Sequence, residues 1–284
     1  MFLSFTSTDP IMQLKEMIFM STICYSFPQG KKKALTMSYD DGQIFDRELI
    51  DIFNKYNIKG TFHLNSGNFD KEQFVKSAEI KNLYKGHEVS VHTLTHPFLT
   101  QISKEEIIRE IMDDRRNLES LTGYPVRGMS YPFGDYNDEL LNILPVLGIE
   151  YSRTVHSTGN FELPSNFLTW HPTCHHNENL LDKVEEFKKT TPWEKLTLLY
   201  VWGHSFEFNR QQNWCLIEEF SKRVSFDDSV WYATNIEIMD YMKSLHNLKF
   251  SANRKIVHNT SANPVWISVD RQPVKIDPGE IVNL

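Results

Sequence analysis

Two carboxylates stand side by side at Asp40 and Asp41, followed by Gly42, at the end of the run Leu35-Thr36-Met37-Ser38-Tyr39. Adjacent acids repel, and such a pair is costly unless a cation neutralises one and chemistry uses the other. A plain Asp-Gly turn is the alternative. Further along, His92-Thr93-Leu94-Thr95-His96 places two imidazoles four residues apart. From one helical turn or a tight loop, that spacing lets both face one ion. Two imidazole nitrogens and one carboxylate from the first stretch make a donor set that suits zinc or a similar divalent ion, with positions left open for water and substrate. His204 follows the strongly apolar run Leu196 to Trp202. A histidine there is either a satisfied core group or a proton donor facing a pocket.

The elements that must position these residues alternate. Apolar, β-forming runs ending near Asp41, Asn65, Val91, Tyr131, Ser152, Trp202 and Ala233 read as strands. Helical spacing predicts helices over 46–57, 71–83, 103–121, 137–147, 177–189, 210–224 and 235–245. Ser103 and Glu106 form a capping box for the clearest of them, and Gly123 closes it. This alternation predicts an α/β fold, a (β/α) barrel. Asp40, Asp41, His92, Pro132-Phe133-Gly134 and His204 all follow strands, so a barrel gathers them on one face. His63 and Asn65 end a strand and are candidates to line the same pocket. The tail changes character: 265–269, 274–276 and 281–282 read as short strands separated by turns at 270–272 and 277–279. The expected division is a lead-in over 1–30, a barrel over 31–246 and a small C-terminal β-hairpin extension over 247–284.

A chain of 284 residues, 40% hydrophobic and 13% aromatic, has enough apolar surface for one large folded domain with a small appendage. Its net charge of −7 argues against nucleic acid or an anionic membrane as partner. Cys24, Cys174 and Cys215 are widely spaced and imply no disulfide framework. No apolar segment has membrane-spanning length. Ile18-Phe19-Met20 lacks a basic opening region, so no signal peptide is expected and a cytoplasmic location is, with Met12, Met17 and Met20 as alternative starts.

Taken together these motifs carry a resemblance. Ser38-Tyr39-Asp40-Asp41-Gly42 resembles the Thr-Phe-Asp-Asp-Gly motif of the polysaccharide deacetylase family (NodB-like, carbohydrate esterase family 4). His92-Thr93-Leu94-Thr95-His96 matches that family's His-Ser/Thr-x-x-His motif. Tyr131-Pro132-Phe133-Gly134 resembles its Pro-Tyr-Gly loop, and Leu198 to His204 its final strand, which ends in a catalytic histidine. The motifs occur in family order; the tail after Lys249 lies outside the resemblance.

The resemblance implies a distorted (β/α) barrel that removes acetyl groups from N-acetylated carbohydrate with one divalent metal ion, zinc first, with cobalt, nickel or manganese as alternatives. By position, Asp41, His92 and His96 hold the metal. Asp40 is the general base, the Phe133 N–H stabilises the oxyanion, and His204 protonates the departing amine. Tyr131, Asn65 and His171 complete the expected site as substrate-binding residues. Two departures stand out. The arginine usual two residues before the loop proline is replaced by Ser130, with Arg127 as the expected substitute. The acid that orients the catalytic histidine has no clear counterpart; the segment 170–176 and Glu207 lie in the right interval. Alternatives are hydrolysis of another linear amide or an O-acetyl ester in the same site, and a non-catalytic carbohydrate-binding barrel.

Overall fold

The computed structural model describes residues 21–284. The expectations about Ile18-Phe19-Met20 and the alternative starts lie outside the described residues. The chain divides into two compact units: Lys31–Lys243, and a second made of the segment before it and Ser244–Leu284.

In chain order the strands are β1 (Ile23–Ser26), β2 (Lys33–Asp41), β3 (Gly60–Leu64), β4 (Glu88–Val91), β5 (Gly128–Ser130), β6 (Tyr151–Arg153), β7 (Cys174–His175), β8 (Thr197–His204), β9 (Val230–Tyr232), β10 (Leu248–Phe250), β11 (Ile256–Asn259), β12 (Val265–Val269), β13 (Gln272–Ile276) and β14 (Ile281–Asn283). The larger unit holds an eight-stranded parallel sheet in the order β6-β5-β4-β3-β2-β8-β7, with β9 also pairing to β2. Trp170 forms a parallel bridge with Arg153 of β6, and four residues on Cys174 pairs with Val201 of β8. The segment 170–175 thus links the sheet's two ends and curls it into a barrel.

Helices lie between the strands: α1 (Asp46–Lys55), α2 (Ile80–Leu83), α3 (Lys104–Thr122), α4 (Asp138–Val146), α5 (Leu180–Lys189), α6 (Ser205–Gln211), α7 (Trp214–Val224) and α8 (Asn235–His246). Successive strand residues point to opposite faces. Leu35, Met37, Tyr39, Phe62, Leu64, Val89, Val91, Leu199 and Val201 belong to the apolar core, together with Leu49 and Phe53 of α1, Ile107, Ile111 and Leu118 of α3 and Val184 of α5. Their alternates Thr36, Ser38 and Asp40, Thr61 and His63, and Glu88 and Ser90 are also buried but polar, and fill the opposite face. These groups bond one another: Thr61 Oγ1 donates to Glu88 Oε2 (2.9 Å), Tyr151 OH donates to Glu88 Oε1 (2.7 Å), and Ser38 Oγ meets His63 Nε2 (2.8 Å). At the N-terminus of α8 the Asn235 N–H donates to Thr61 Oγ1 and the Ile236 N–H to Glu88 Oε2.

Two expected helices change form. Over 71–83 only Ile80–Leu83 is α-helical, after one 3-10 turn at Ser77–Glu79. The preceding residues instead pair with the turn after β2, through the Gln43–Phe74 bridge and a Val75 N–H to Gly42 carbonyl bond of 3.0 Å. These tertiary bonds outweigh a weak local preference. The expected helix 210–224 is broken at Gln212, whose φ is 53°, so α6 starts directly after His204 and α7 follows.

The smaller unit carries two three-stranded antiparallel sheets, β1-β12-β13 and β10-β11-β14. Val257, Val265, Ile267 and Ile276 are fully buried in it. The C-terminal hairpins are present, and β1, from the segment read as a lead-in, pairs with β12.

Candidate metal centre and active site

Asp41 sits at the last position of β2 with φ 81°, in the left-handed region that Asp tolerates better than most residues. His92 follows β4, and Thr93 and His96 also take left-handed backbone angles, so the segment is a tight loop and not a helical turn. The loop brings three ligand atoms together. Asp41 Oδ1 lies 3.7 Å from His92 Nε2 and 3.8 Å from His96 Nε2. The three atoms lie within 4.8 Å of one another.

The loop is held by partners that its own sequence does not reveal. Asp114 accepts from the N–H groups of His92 (3.1 Å) and Ser66 (2.7 Å). Glu110 accepts from the Thr95 N–H (2.8 Å) and hydroxyl (2.9 Å). Both acids lie on the buried face of α3, among Ile107, Ile111 and Leu118. Asn65 spends its amide hydrogens on the carbonyls of His92 and Thr93. A Cβ on Gly67 would fall 2.4 Å from the Leu94 carbonyl oxygen, so close packing of this loop requires glycine there.

His92 is 1% exposed, and burial pushes its imidazole down to about 4, so it is neutral near pH 7. Its Nδ1 faces the Ser130 carbonyl at 3.0 Å and the Ser130 hydroxyl at 2.7 Å. With the proton on Nδ1, Nε2 is left as a free lone pair aimed at Asp41. The donor set and its second layer of hydrogen bonds fit a divalent ion.

Asp40, 2% exposed, lies on the other side of His92, with Oδ2 3.8 Å from Nε2. Ser130 Oγ donates to Asp40 Oδ1 at 3.1 Å, and the Arg153 guanidinium pairs with Oδ2. Burial alone would raise this carboxyl, but Arg153, helped by His92, His63 and His204, outweighs it and holds the carboxyl well below the usual carboxylate range. Arg153 is fully buried and its guanidinium stacks over Trp202 at 4.4 Å. Its place follows from register: Arg153 is the strand partner of Ser130, so both side chains reach the same interior layer.

Arg127 does not take this role. Its guanidinium is bound by Asp240 (2.9 Å to Oδ1) and Glu150 (3.2 Å). The arginine missing before the loop proline is supplied by the neighbouring strand. The signal for it was an arginine at the end of the run Tyr151-Ser152-Arg153, beside the strand that carries Ser130.

His204 ends β8 and is the register partner of Asp40. Its Nδ1 faces Glu207 Oε1 at 3.3 Å. Burial disfavours the imidazolium, but the carboxylates of Glu207, Asp40 and Asp41 outweigh it and raise its pKa. Glu207, one turn into α6, is therefore the acid that faces the histidine. His175 Nε2 and His176 Nε2 also approach Glu207 Oε2, at 3.1 Å and 2.9 Å. Burial opposes ionisation of Glu207, yet its bonds to His175, His176 and His204 hold it far below the usual carboxylate range.

Phe133 has φ 59° in the turn after β5. The Gly134 and Asp135 N–H groups close this turn on the Tyr131 and Pro132 carbonyls, which leaves the Phe133 amide outside the turn's own bonds. Its side chain is half exposed, stacks on Phe98 (3.8 Å between centroids, 10°) and meets the His96 ring edge-on at 4.4 Å.

Of the residues expected to bind substrate, Tyr131 and Asn65 are buried and bonded within the protein, whereas His171 is partly exposed. Tyr131 is fully buried and its hydroxyl donates to the Leu168 carbonyl (2.8 Å). Asn65 is 1% exposed and braces the ligand loop. His63 is fully buried in the barrel interior on Ser38. His171 is partly exposed, bonded through Nδ1 to Thr154 Oγ1 (2.6 Å) and beside His156.

Comparison with known proteins now bears on this constellation. Residues 28–152 match the family model described as polysaccharide deacetylase. Over that segment, somewhat under half of the chain, the sequence is similar to the polysaccharide deacetylase family. The matched segment holds Asp40, Asp41, His92, His96 and Phe133; Arg153 and His204 lie beyond it. The chain is 30% identical over 111 residues to the peptidoglycan N-acetylmuramic acid deacetylase PdaC of Bacillus subtilis, which covers 38% of this chain and 23% of that protein. It is 28% identical over 142 residues to chitin deacetylase 1 of Cryptococcus neoformans, 49% of this chain and 30% of that protein. The chain thus spans less than a third of these relatives. A solved structure of the B. subtilis peptidoglycan deacetylase superposes with a TM-score of 0.53 at 18% identity, covering 76% of this chain and 94% of that one. At that identity the likeness is one of fold, a curled parallel sheet with helices.

Proposed function

We propose that the protein is a metal-dependent hydrolase that removes acetyl groups from an N-acetylated carbohydrate. The observation that carries this reading is the layer at the mouth of the barrel. Asp41, His92 and His96 converge there, with Asp40 beside His92 and the Asp40–His204 register pair spanning β2 and β8. Deacetylation of an amide needs an activated water, an oxyanion site and an acid for a basic leaving group, and this layer offers one group for each.

Asp41, His92 and His96 would hold the divalent ion, most naturally zinc for two imidazoles and a carboxylate. Bound there, the ion supplies Lewis acidity, which polarises an acetyl carbonyl and makes water nucleophilic near neutral pH. Asp40 is ionised but weakly basic, because Arg153 holds it so. Such a carboxylate takes a proton only from an acidified water, so its role depends on a cation next to it. Asp40 accepts that proton and orients the water through its fixed carboxylate. The Phe133 N–H donates to the developing oxyanion. His204, whose pKa the Glu207 carboxylate raises against burial, delivers the proton to the amine nitrogen. The exposed Phe98–Phe133 pair offers an apolar ridge beside the ligands on which a sugar ring can stack.

Acetate release from a panel of N-acetylated oligosaccharides, with and without added zinc, tests the reading. Zinc-dependent release from at least one sugar is expected. Hydrolysis of O-acetyl sugars alone would move the reaction to esters, and sugar binding without any release would leave a carbohydrate-binding barrel.

A further inference from the structure

Behind His204 lies a second group of metal-ligand type that the proposed reaction does not require in full. His175 ends β7, where Cys174 and His175 pair with Val201 and Trp202 of β8, and His176 follows directly after it. Glu207 comes down from the first turn of α6. Its Oε2 is 3.1 Å from His175 Nε2 and 2.9 Å from His176 Nε2, and its Oε1 is 3.3 Å from His204 Nδ1. For zinc bonds of about 2.0–2.2 Å, neighbouring ligand atoms in a tetrahedron lie roughly 3.3 Å apart. Glu207 Oε2 is therefore near ligand spacing from both imidazoles, and the three donor atoms lie within 4.8 Å of one another.

The histidine at the centre of this group is unusual. His176 is fully buried; among the described residues its Nδ1 has no hydrogen-bond partner, and its Nε2 has only Glu207 Oε2, 2.9 Å away. The ring is fixed by apolar neighbours, stacked on Phe208 (4.1 Å, 27°) and on Tyr39 (5.8 Å, 17°). A Cβ on Gly203 would fall 2.0 Å from His176 Nδ1, so β8 has no side chain where the imidazole lies. A buried polar group without a partner is costly, and a bound water or ion is one way to satisfy it. The His176 ring is packed between aromatic rings, with its Nε2 directed at a carboxylate oxygen 2.9 Å away.

We propose that His175 Nε2, His176 Nε2 and Glu207 Oε2 form a second divalent metal site, of zinc type, distinct from the one at Asp41, His92 and His96. Two imidazoles and one carboxylate provide a three-ligand set, the kind that leaves a fourth position for water. The site does not depend on the deacetylase reading, because its ligands hold an ion whether or not the barrel mouth is catalytic.

Untagged protein is stripped of metal, equilibrated with zinc chloride, passed through gel filtration and assayed for zinc per chain. Wild type should retain two, and His92→Ala one. His175→Ala and Glu207→Gln should each retain one, and His92→Ala combined with Glu207→Gln close to none. Glu207→Gln preserves shape, so it keeps the test decisive if His175→Ala folds poorly; circular dichroism checks both. Cobalt substitution gives a second readout, since loss of one site should remove about half of the visible ligand-field absorption. One zinc in wild type that His92→Ala abolishes would overturn the proposal, as would two zincs that both His175→Ala and Glu207→Gln leave in place.

Discussion

The two walls of the barrel mouth are built on opposite principles. On the wall of β2 and the 92–96 loop, direction does the work. His92 is locked by Ser130 through Nδ1, its backbone by Asp114, and Thr95 by Glu110. On the wall of β8, three imidazoles converge on the single carboxylate of Glu207, and charge does the work. A wall fixed by direction should respond to substitution by losing ligand geometry. A wall fixed by charge should respond by changing its protonation. Asp40 lies between them, bound to Ser130 on one side and to Arg153 on the other.

Substitutions at the two walls can break or sharpen that contrast. The largest effect is expected at the group between them. Asp40→Asn should retain metal and fold, because Asp41, His92 and His96 are untouched, yet lose on the order of 10²–10⁴-fold in turnover, the usual scale for a positioned base. Loss of metal in this variant would make Asp40 a ligand and merge the two walls into one.

Next in size is His204→Ala. An amide nitrogen leaves only when protonated, whereas an activated aryl ester departs unaided. Turnover of an N-acetyl sugar should fall roughly 10²-fold or more, with a much smaller loss on an aryl acetate. Equal losses on both substrates would assign His204 to the fold or the oxyanion.

A smaller and more diagnostic effect is expected at Glu207. Its carboxylate raises the pKa of His204 against the opposing effect of burial. With an acid that must be protonated, activity is lost as pH rises through that pKa. Glu207→Gln should therefore move the alkaline limb of kcat/KM to lower pH and cost more activity at pH 8 than at pH 6. An unchanged limb would show that Glu207 shapes the wall without tuning it.

These contrasts were only partly legible in the sequence. The alternation of strands and helices gave the barrel, and the residues after each strand gave Asp40, Asp41, His92, His96 and His204. What local reading missed was set by register and by helix faces. Arg153 reaches Asp40 because it pairs with Ser130, a relation between residues 23 positions apart. Glu110 and Asp114 reach the ligand loop because they occupy the buried stripe of α3. An acid inside an apolar stripe was the available signal. Asn65 and Tyr131 follow strands, as pocket residues do, but packing turned one toward the ligand loop and the other into the interior.

The smallest effect is one of stability, away from both walls. Burial raises Glu88 to about 7 against bonds from Ile236, Tyr151 and Thr61. A carboxyl that binds its proton more tightly when folded stabilises the fold at low pH. That contribution is present below the ordinary value of 4.5 and lost as pH rises through about 7. Glu88→Gln should remove this dependence. The stability of wild type relative to the variant should fall by ~3 kcal/mol between pH 4.5 and pH 8, read by denaturant unfolding. A flat difference would mean that the hydrogen bonds keep Glu88 ionised throughout.

The central claim is that the barrel mouth is a metal-dependent deacetylase, and metal removal and return on wild type and His92→Ala test it most directly. Acetate release from an N-acetylated oligosaccharide is followed as zinc is added back to stripped protein. Wild type should regain activity with a break at the zinc that fills Asp41, His92 and His96. His92→Ala, with one of the three ligands gone, should stay near background at every zinc concentration. Full turnover in stripped wild type, or restored turnover in His92→Ala, would contradict the account.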